Sequence, residues 1–391
     1  MELYSLDLTE IQGNNQIAFR AFVDSEIVPL AAAFDQNEYI SFDIINKMVE
    51  KGFWGAELPR EYGGRGFDMI SYGLFNEEIG RGCANIRNLV GVQGMVSSAI
   101  LKWGSDEQKN NWLPRMASGE ITAAFALTEP DIGSDVKSMK TSVMQDNSEY
   151  IINGSKKWIT FGQSANLYLV FAQCDGKVGA FLVERDTPGF STKPIKGLLG
   201  FRGSMLAELN FDECRIPKEN IVGRLGFGLS HVANYGLTHG RYSTAWGCVG
   251  LAQGCLDACV KYASERKQFD TYLKEHQLIQ QMIADMMTNV TAARLLCLHA
   301  AYLREAGDQR SIMETSLAKY FASTIASKAA SDAVQIHGAN GCSAKYPVAR
   351  YMRDAKIMEI VEGSTQIQQV LIARHAFSKR RQSMPKQAER S

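Results

Sequence analysis

The hydrophobic spacing of this chain changes period twice, and that double change restricts its fold more than any other feature. Over residues 8–119 apolar side chains recur at helical intervals, as at Phe42, Ile44, Ile45, Met48 and Val49, with a turn-rich interruption from Pro59 to Gly66. Over residues 121–228 the pattern becomes short runs of Val, Ile, Phe and Tyr separated by turn residues. Tyr150, Ile151 and Ile152 precede Asn153 and Gly154, and Trp158, Ile159 and Thr160 follow them; Asn-Gly suits the positive φ angles of a hairpin turn. After residue 229 the helical interval returns and lasts to about residue 377, for example at Leu278, Ile279, Met282, Ile283 and Met286. The spacing therefore predicts an α+β chain of three units: helices over 1–120, a β domain over 121–228, and a helical bundle over 229–391 with a loosely ordered polar tail from Ser378.

At 391 residues and 45 % hydrophobic, the chain can bury a core large enough for two or three domains. Forty-two basic side chains balance forty-two acidic ones, so no net field draws the molecule to nucleic acid or to an anionic membrane. The eight cysteines form no Cys-x-x-Cys pair. Cys255 and Cys259 lie one helical turn apart, where packing explains them better than metal, and no metal site is expected. Residues 1–12 have neither the apolar core of a signal peptide nor the Arg-rich, acid-poor character of a transit peptide. No apolar run reaches the ~18 residues of a membrane span. The expectation is a cytoplasmic protein without nucleic-acid partner or membrane insertion.

Five segments carry a more specific signal. They are 127–135 (Leu-Thr-Glu-Pro-Asp-Ile-Gly-Ser-Asp), 158–160 (Trp-Ile-Thr), 265–269 (Glu-Arg-Lys-Gln-Phe), 335–341 (Gln-Ile-His-Gly-Ala-Asn-Gly) and 353–366, which includes Glu-Gly-Ser-Thr-Gln. The first combines hydroxyls with glycine-exposed amides, a composition that can hold the carbonyls and phosphates of a ligand but that also suits a surface turn. Glu362 follows Ile360 and Val361 and precedes Gly363, which should break a helix; Thr365 and Gln368 then have the spacing of a capping box for the next helix. A carboxylate at such a break can face a cavity, although an arbitrary glutamate is more often a solvated acid.

Together, in this order and spread over nearly the whole chain, these segments resemble the acyl-CoA dehydrogenase family. The resemblance implies an N-terminal helical domain, a central β-barrel-like domain and a C-terminal four-helix bundle, assembled as a homotetramer or dimer. It implies FAD as cofactor and Glu362 as the base that removes the α proton of an acyl thioester while a hydride leaves the β carbon for the flavin. The Glu362 backbone N–H, with Gly363, would help hold the thioester carbonyl. Some relatives carry the base near the position of Gly240, which here offers no carboxylate.

By the same resemblance Phe125, Leu127, Thr128, Gly133 and Ser134 line the flavin, with Ser134 also at the substrate. Trp158 and Thr160 cover the ring, although a lone tryptophan is more often core. Arg266, Phe269, Gln277, Gln335 and Gly338 would grip FAD from a neighbouring subunit, and Ser364 and Gln366 its adenosine end. An arginine fork suits pyrophosphate, the alternative for Arg266 being a surface ion pair. Ala339 stands where many relatives have glycine. Arg241 matches an arginine behind the active site, where a purely structural role is an equal reading. Arg87 lies where glutaryl-CoA dehydrogenase meets its substrate's distal carboxylate; here it faces either a polar acyl group or an internal acid such as Glu77 or Glu78. The stretch 242–250 further resembles dehydrogenases that act on acyl groups held on carrier proteins in polyketide and non-ribosomal peptide biosynthesis. The thioester carrier, CoA or acyl carrier protein, and the electron acceptor, an electron-transfer flavoprotein or oxygen, stay open, as does an ordinary short- or medium-chain catabolic enzyme or a flavin oxidase or monooxygenase of the same fold.

Overall fold

A computed structural model describes residues 8–383. Its first unit is helical: α1 (Glu10–Phe22), α2 (Ala31–Asn37), α3 (Asp43–Glu50), α4 (Met69–Gly82), α5 (Ala84–Trp103) and α6 (Asp106–Ala117). Local chemistry sets the starts. Thr9 and Gln12 form a reciprocal capping box at α1, Ser105 and Gln108 form one at α6, and the Asp68 carboxylate accepts the Ser71 amide at α4. Helices α4 and α5 are buried along almost all of their length, so they form the centre of the unit.

Strands β1 (Ala123–Ala126), β2 (Ser142–Asp146), β3 (Glu149–Ile159), β4 (Leu167–Cys174), β5 (Lys177–Glu184), β6 (Phe190–Pro194) and β7 (Ala207–Pro217) make one mixed sheet that curls into a half-barrel. The order is β1-β4-β2-β3-β7-β6, with β5 on β4; β1 runs parallel to β4 and the β2–β3, β3–β7, β4–β5 and β6–β7 pairs are antiparallel. The hairpin expected at Asn153-Gly154 is not a turn. Strand β3 runs through it, and the register against β7 slips between Ile152 and Gly154, so Gly154 (φ 137°) forms a bulge. A Cβ on Gly154 would lie 2.8 Å from the Thr141 backbone, which explains the glycine by close approach. The actual hairpin is β2 to β3, with Asn147 at φ 46° in its two-residue loop.

The chain then enters α7 (Asn234–Glu265), a short hairpin of β8 (Lys267–Gln268) and β9 (Thr271–Tyr272), and helices α8 (Gln277–Glu305), α9 (Ser311–His337), α10 (Val348–Met358) and α11 (Thr365–Ser383). Residues 378–383 of the polar tail are thus helical rather than loose, and the rest of that tail lies outside the described residues. Helix α7 is the spine of the molecule, since it packs on α9 and α8 in the bundle and on α4 and α5 in the first unit. Glycines let α4 and α7 touch backbone to backbone: a Cβ on Gly250 would lie 1.8 Å from the Glu77 carbonyl, and one on Gly80 2.4 Å from that of Gly247. Cys255 and Cys259 are buried in α7, as packing residues should be. Among the described residues no helix is long and apolar enough to cross a membrane, and no group of three or more His, Cys, Asp or Glu could hold a metal ion.

Candidate active site

A cleft of about 710 Å³ opens where the three units meet. One wall is β1 and the loop after it, with Phe125, Leu127, Thr128, Gly133 and Ser134; a second is the end of β3, with Trp158 and Thr160; a third is the turn from Val361 to Ser364; and α5 and α7 add Asn88, Met95 and Arg241. Residues more than 200 positions apart in sequence therefore share one space.

The β1 loop is stitched in place. The Glu129 and Ile132 backbones pair with each other, and the Lys157 amide donates to the Thr128 carbonyl at 2.8 Å, tying the loop to the strand that carries Trp158. The Glu129 carboxylate, buried beneath, accepts from the amides of Lys140 (2.6 Å) and Thr141 (2.9 Å) and from the Lys156 ammonium (2.8 Å), which also donates to the Leu127 carbonyl. With its outward groups free, the loop presents Thr128, Gly133 and Ser134 to the cleft; a Cβ on Gly133 would meet nothing within 4 Å, so its backbone is open to a ligand. Trp158 is not core. It is 49 % exposed and takes φ 62°, a left-handed value that costs an L residue about 1–2 kcal/mol and is held here by the strand end. Asn88 donates to the Thr160 hydroxyl and to the Ser204 hydroxyl at 3.2 Å each, so the oxygen of Thr160 is already engaged from behind and its hydrogen is left for an acceptor in the cleft.

Glu362 sits in the break between α10 and α11. Glu362 (φ 57°) and Gly363 (φ 92°) both take left-handed backbone, which reverses the chain. Arg241 Nε (3.0 Å) and Gln368 Nε2 (3.2 Å) donate to the Glu362 carbonyl; Lys319 Nζ donates to that of Gly363 at 3.0 Å. The capping box expected of Thr365 and Gln368 is absent, because the Thr365 hydroxyl donates to the Glu359 carbonyl and the Gln368 side chain is spent on the turn; Ser364 Oγ takes the cap, accepting from the Ile367 amide at 3.4 Å. Although Glu362 as a residue is half-buried, its Oε2 is sealed from water and has no hydrogen-bond partner among the described residues. Burial pushes its carboxyl up to about 7, against the opposing pull of Arg241, Arg87 and Lys319. A Cβ on Gly240 would lie 2.5 Å from that Oε2, so the glycine is what leaves room for the carboxylate.

Arg87 on α5 is 2 % exposed and donates Nη1 to the Thr244 hydroxyl at 3.0 Å, while its Nε has no partner. The internal acids considered for it are taken: Glu77 receives Arg294 in a forked pair (3.0 and 2.6 Å), and Glu78 receives Arg81 at 2.7 Å and Arg20 at 3.4 Å. Arg87 does not itself border the cleft; its neighbour Asn88 does.

Besides Arg87, six of the expected residues lie outside the cleft lining. Arg266 and Phe269 project from the β8–β9 hairpin, Gln277 opens α8, Gln335 and Gly338 close α9, and Gln366 is on the exposed first turn of α11. The ends of α7 and α9 adjoin, since Tyr262 stacks on His337 at 4.2 Å and accepts from Asn340 at 2.8 Å, so Arg266, Gln335 and Gly338 occupy one end of the bundle. Phe269 and Asp270 (φ 52° and 57°) form the hairpin tip, with Phe269 93 % exposed. Asn88, Glu129, Lys156, Lys319 and Gln368 were not expected as site residues from the sequence, Gln368 having been read only as a helix cap. Lys319 did leave a trace: it falls in the buried line Thr315, Lys319, Ala322, Ala326 on α9, where an ammonium is out of place.

Models of the acyl-CoA dehydrogenase N-terminal, middle and C-terminal domains match residues 9–120, 124–214 and 228–377. An acyl-CoA dehydrogenase of Bacillus subtilis is 40 % identical over 91 % of this chain and 95 % of its own length, and a glutaryl-CoA dehydrogenase of Desulfococcus multivorans is 38 % identical over 90 % and 93 %. Among solved structures, a glutaryl-CoA dehydrogenase of Mycobacterium smegmatis in complex with FADH2 superposes with a TM-score of 0.92 at 31 % identity, covering 96 % of this chain and 97 % of that one. Two more distant structures are the prolyl acyl carrier protein oxidase AnaB (TM-score 0.89, 27 % identity, 94 % and 99 % covered) and FkbI, for biosynthesis of a methoxymalonyl extender unit (0.85, 31 %, 93 % and 99 %).

Proposed function

The chain belongs to the acyl-CoA dehydrogenase family, whose members are flavin oxidoreductases acting on CH–CH bonds, and from that premise we propose that it carries out α,β-dehydrogenation of an acyl thioester with Glu362 as base. The observation that carries the reading is the Glu362 carboxylate: its Oε2 sealed from water and without a partner, its pKa raised to about 7, and facing the same cleft as the Thr128 loop and Trp158. A base near neutrality takes an α proton and can release it again.

The family implies FAD, and the cleft suits it. The open backbone at Gly133, the Thr160 hydroxyl with its proton unspent and the half-exposed Trp158 ring offer donors and a flat apolar cover on one side, across from Glu362. Phe125, Leu127, Thr128, Gly133, Ser134, Trp158 and Thr160 would hold the ring system and Ser364 and Gln366 the adenosine side. When bound, FAD supplies the acceptor for the hydrogen that leaves the β carbon. Glu362 takes the α proton, and its amide would face the charge that develops on the thioester oxygen. Arg241 keeps that amide aimed by holding the Glu362 carbonyl.

Arg266, Phe269, Gln277, Gln335 and Gly338 complete the cofactor site of a second copy. Leaving a phenylalanine 93 % exposed at a hairpin tip in left-handed backbone has no benefit within one chain, and a partner subunit would cover it. The protein is then at least a dimer, and a tetramer by family resemblance. We place it in the cytoplasm, in three units of 1–120, 121–228 and 229–391.

For the substrate we favour a short acyl group with a polar end, carried on an acyl carrier protein. Arg87 supports this, being buried behind the cleft with an unpartnered Nε and no ion pair among the described residues, and so does the likeness to the carrier-protein oxidase and extender-unit structures. Anaerobic bleaching of the purified flavoprotein against a panel of acyl-CoA and acyl-carrier thioesters is the test; no bleaching by any thioester refutes the dehydrogenase reading, and faster bleaching by butyryl-CoA than by polar acyl groups refutes the substrate reading.

A further inference from the structure

Lys319 lies fully buried in α9 beneath the Glu362–Gly363 turn. Among the described residues no carboxylate comes within 4.0 Å of its ammonium, and its one short contact is the Gly363 carbonyl at 3.0 Å. A buried ammonium with no paired anion is costly, and a methionine of similar length would serve packing better. The cation therefore has a use other than stability. Its surroundings say which: the charged and titratable groups around it are Cys248 and Arg241 from α7, Glu359 beyond the end of α10, and Glu362 itself, with Gln368 of α11 neutral. Glu359 is committed to Lys356 at 2.8 Å, so the unsatisfied negative group in reach of the Lys319 field is Glu362.

We propose that Lys319 is a positioning residue for the base, pinning the Gly363 carbonyl so that the left-handed turn holds and setting a positive charge beside the Glu362 carboxylate. The two effects act together. Without the tether, a glutamate at φ 57° relaxes toward ordinary backbone, and its amide and carboxylate leave the cleft. Without the charge, Arg241 of α7 and Arg87 of α5 still act on the carboxylate, but the low-dielectric site moves further toward the protonated acid, which cannot accept the α proton. Burial itself weakens the lysine as a cation, to about 8, so the support fades at alkaline pH.

The inference rests on Glu362 being the base, and the experiment separates the two. Lys319→Met, Lys319→Arg and Glu362→Gln holoenzymes are reduced anaerobically by the best thioester from the panel across pH 5.5 to 9.5. Lys319→Met is expected to lower the limiting rate about tenfold to a hundredfold with KM within about threefold, and to move the acid limb of the profile up by about one pH unit, with no loss of melting temperature. Lys319→Arg keeps the charge and should return the limb to its wild-type position. Should Lys319→Met not accumulate, Lys319→Gln, which keeps a donor without charge, is read for the same shift. An unmoved limb in the neutral variants, or equal impairment of the Met and Arg variants together with lower melting temperatures, overturns the proposal. Retained turnover in Glu362→Gln instead overturns the assignment of the base, whatever the lysine variants do.

Discussion

Replacing Glu362 by glutamine should remove activity and stabilise the protein at once, and the second effect has a pH signature. In the folded chain the carboxyl is raised from 4.5 to about 7 by burial. A group whose folded pKa lies above its unfolded value binds its proton more tightly when folded; the fold therefore loses stability as pH rises from the unfolded value toward the folded one. At about 1.4 kcal/mol per unit, this separation makes the ionised carboxylate cost on the order of 3 kcal/mol at pH 8, and under about 1 kcal/mol at pH 5, where the folded-state carboxyl is still protonated. Glutamine keeps the shape and cannot ionise. Glu362→Gln should therefore melt above wild type at pH 8, with the gap largely closed at pH 5, while thioester-dependent flavin bleaching in stopped flow falls about 10³-fold or more. A melting difference that is the same at both pH values, or that favours wild type at pH 8, would show that this carboxylate is not held in the desolvated state described above. Turnover within tenfold of wild type would place the base elsewhere.

Three further outcomes follow from particular contacts. Arg266→Ala should lose both FAD and subunit association, seen as colourless protein and a smaller hydrodynamic size at the same concentration, whereas loss of colour alone would remove the arginine from the interface. Arg87→Met should depress kcat/KM for a short polar acyl thioester about thirtyfold, equivalent to about 2 kcal/mol, and leave or improve butyryl-CoA; equal damage to every substrate makes Arg87 structural. Gly250→Ala should destabilise the protein by about 2 kcal/mol or more, because its Cβ would lie 1.8 Å from the Glu77 carbonyl and only backbone can move, and a melting curve within a degree of wild type contradicts that packing.

The three-part order of the chain was legible because period is a property of neighbouring residues. The cleft walls at 127–134, 158–160 and 362–364 were legible through the resemblance of short segments, and the structure brings them to one space. What escaped depends on residues far apart. Asn153-Gly154 reads as a turn locally, but the Ile151 and Ile152 pairing with β7 carries the strand straight through it. Thr365 and Gln368 have capping spacing, yet two carbonyls in reversed backbone compete better for the Gln368 amide. Whether Arg87 had an internal acid could not be decided from spacing, since Arg294, more than two hundred residues later, is what occupies Glu77. Lys319 and Lys156 were visible only as lysines at positions that the surrounding pattern assigns to the interior.

The glycine-lined contact of α4 with α7 governs how this enzyme can breathe. Two helices whose main chains touch at Glu77, Gly80, Gly247 and Gly250 have no layer of side chains to slide on, so that contact resists sliding of the first unit against the bundle. The walls of the cleft on α5 and α7 belong to those two units. Entry and exit are left to the β-domain side, where the 128–134 loop is anchored from beneath by Glu129 and Lys156 but free at its surface. Opening there would need the displacement of a few residues rather than of a domain, a class of motion on the nanosecond to microsecond scale.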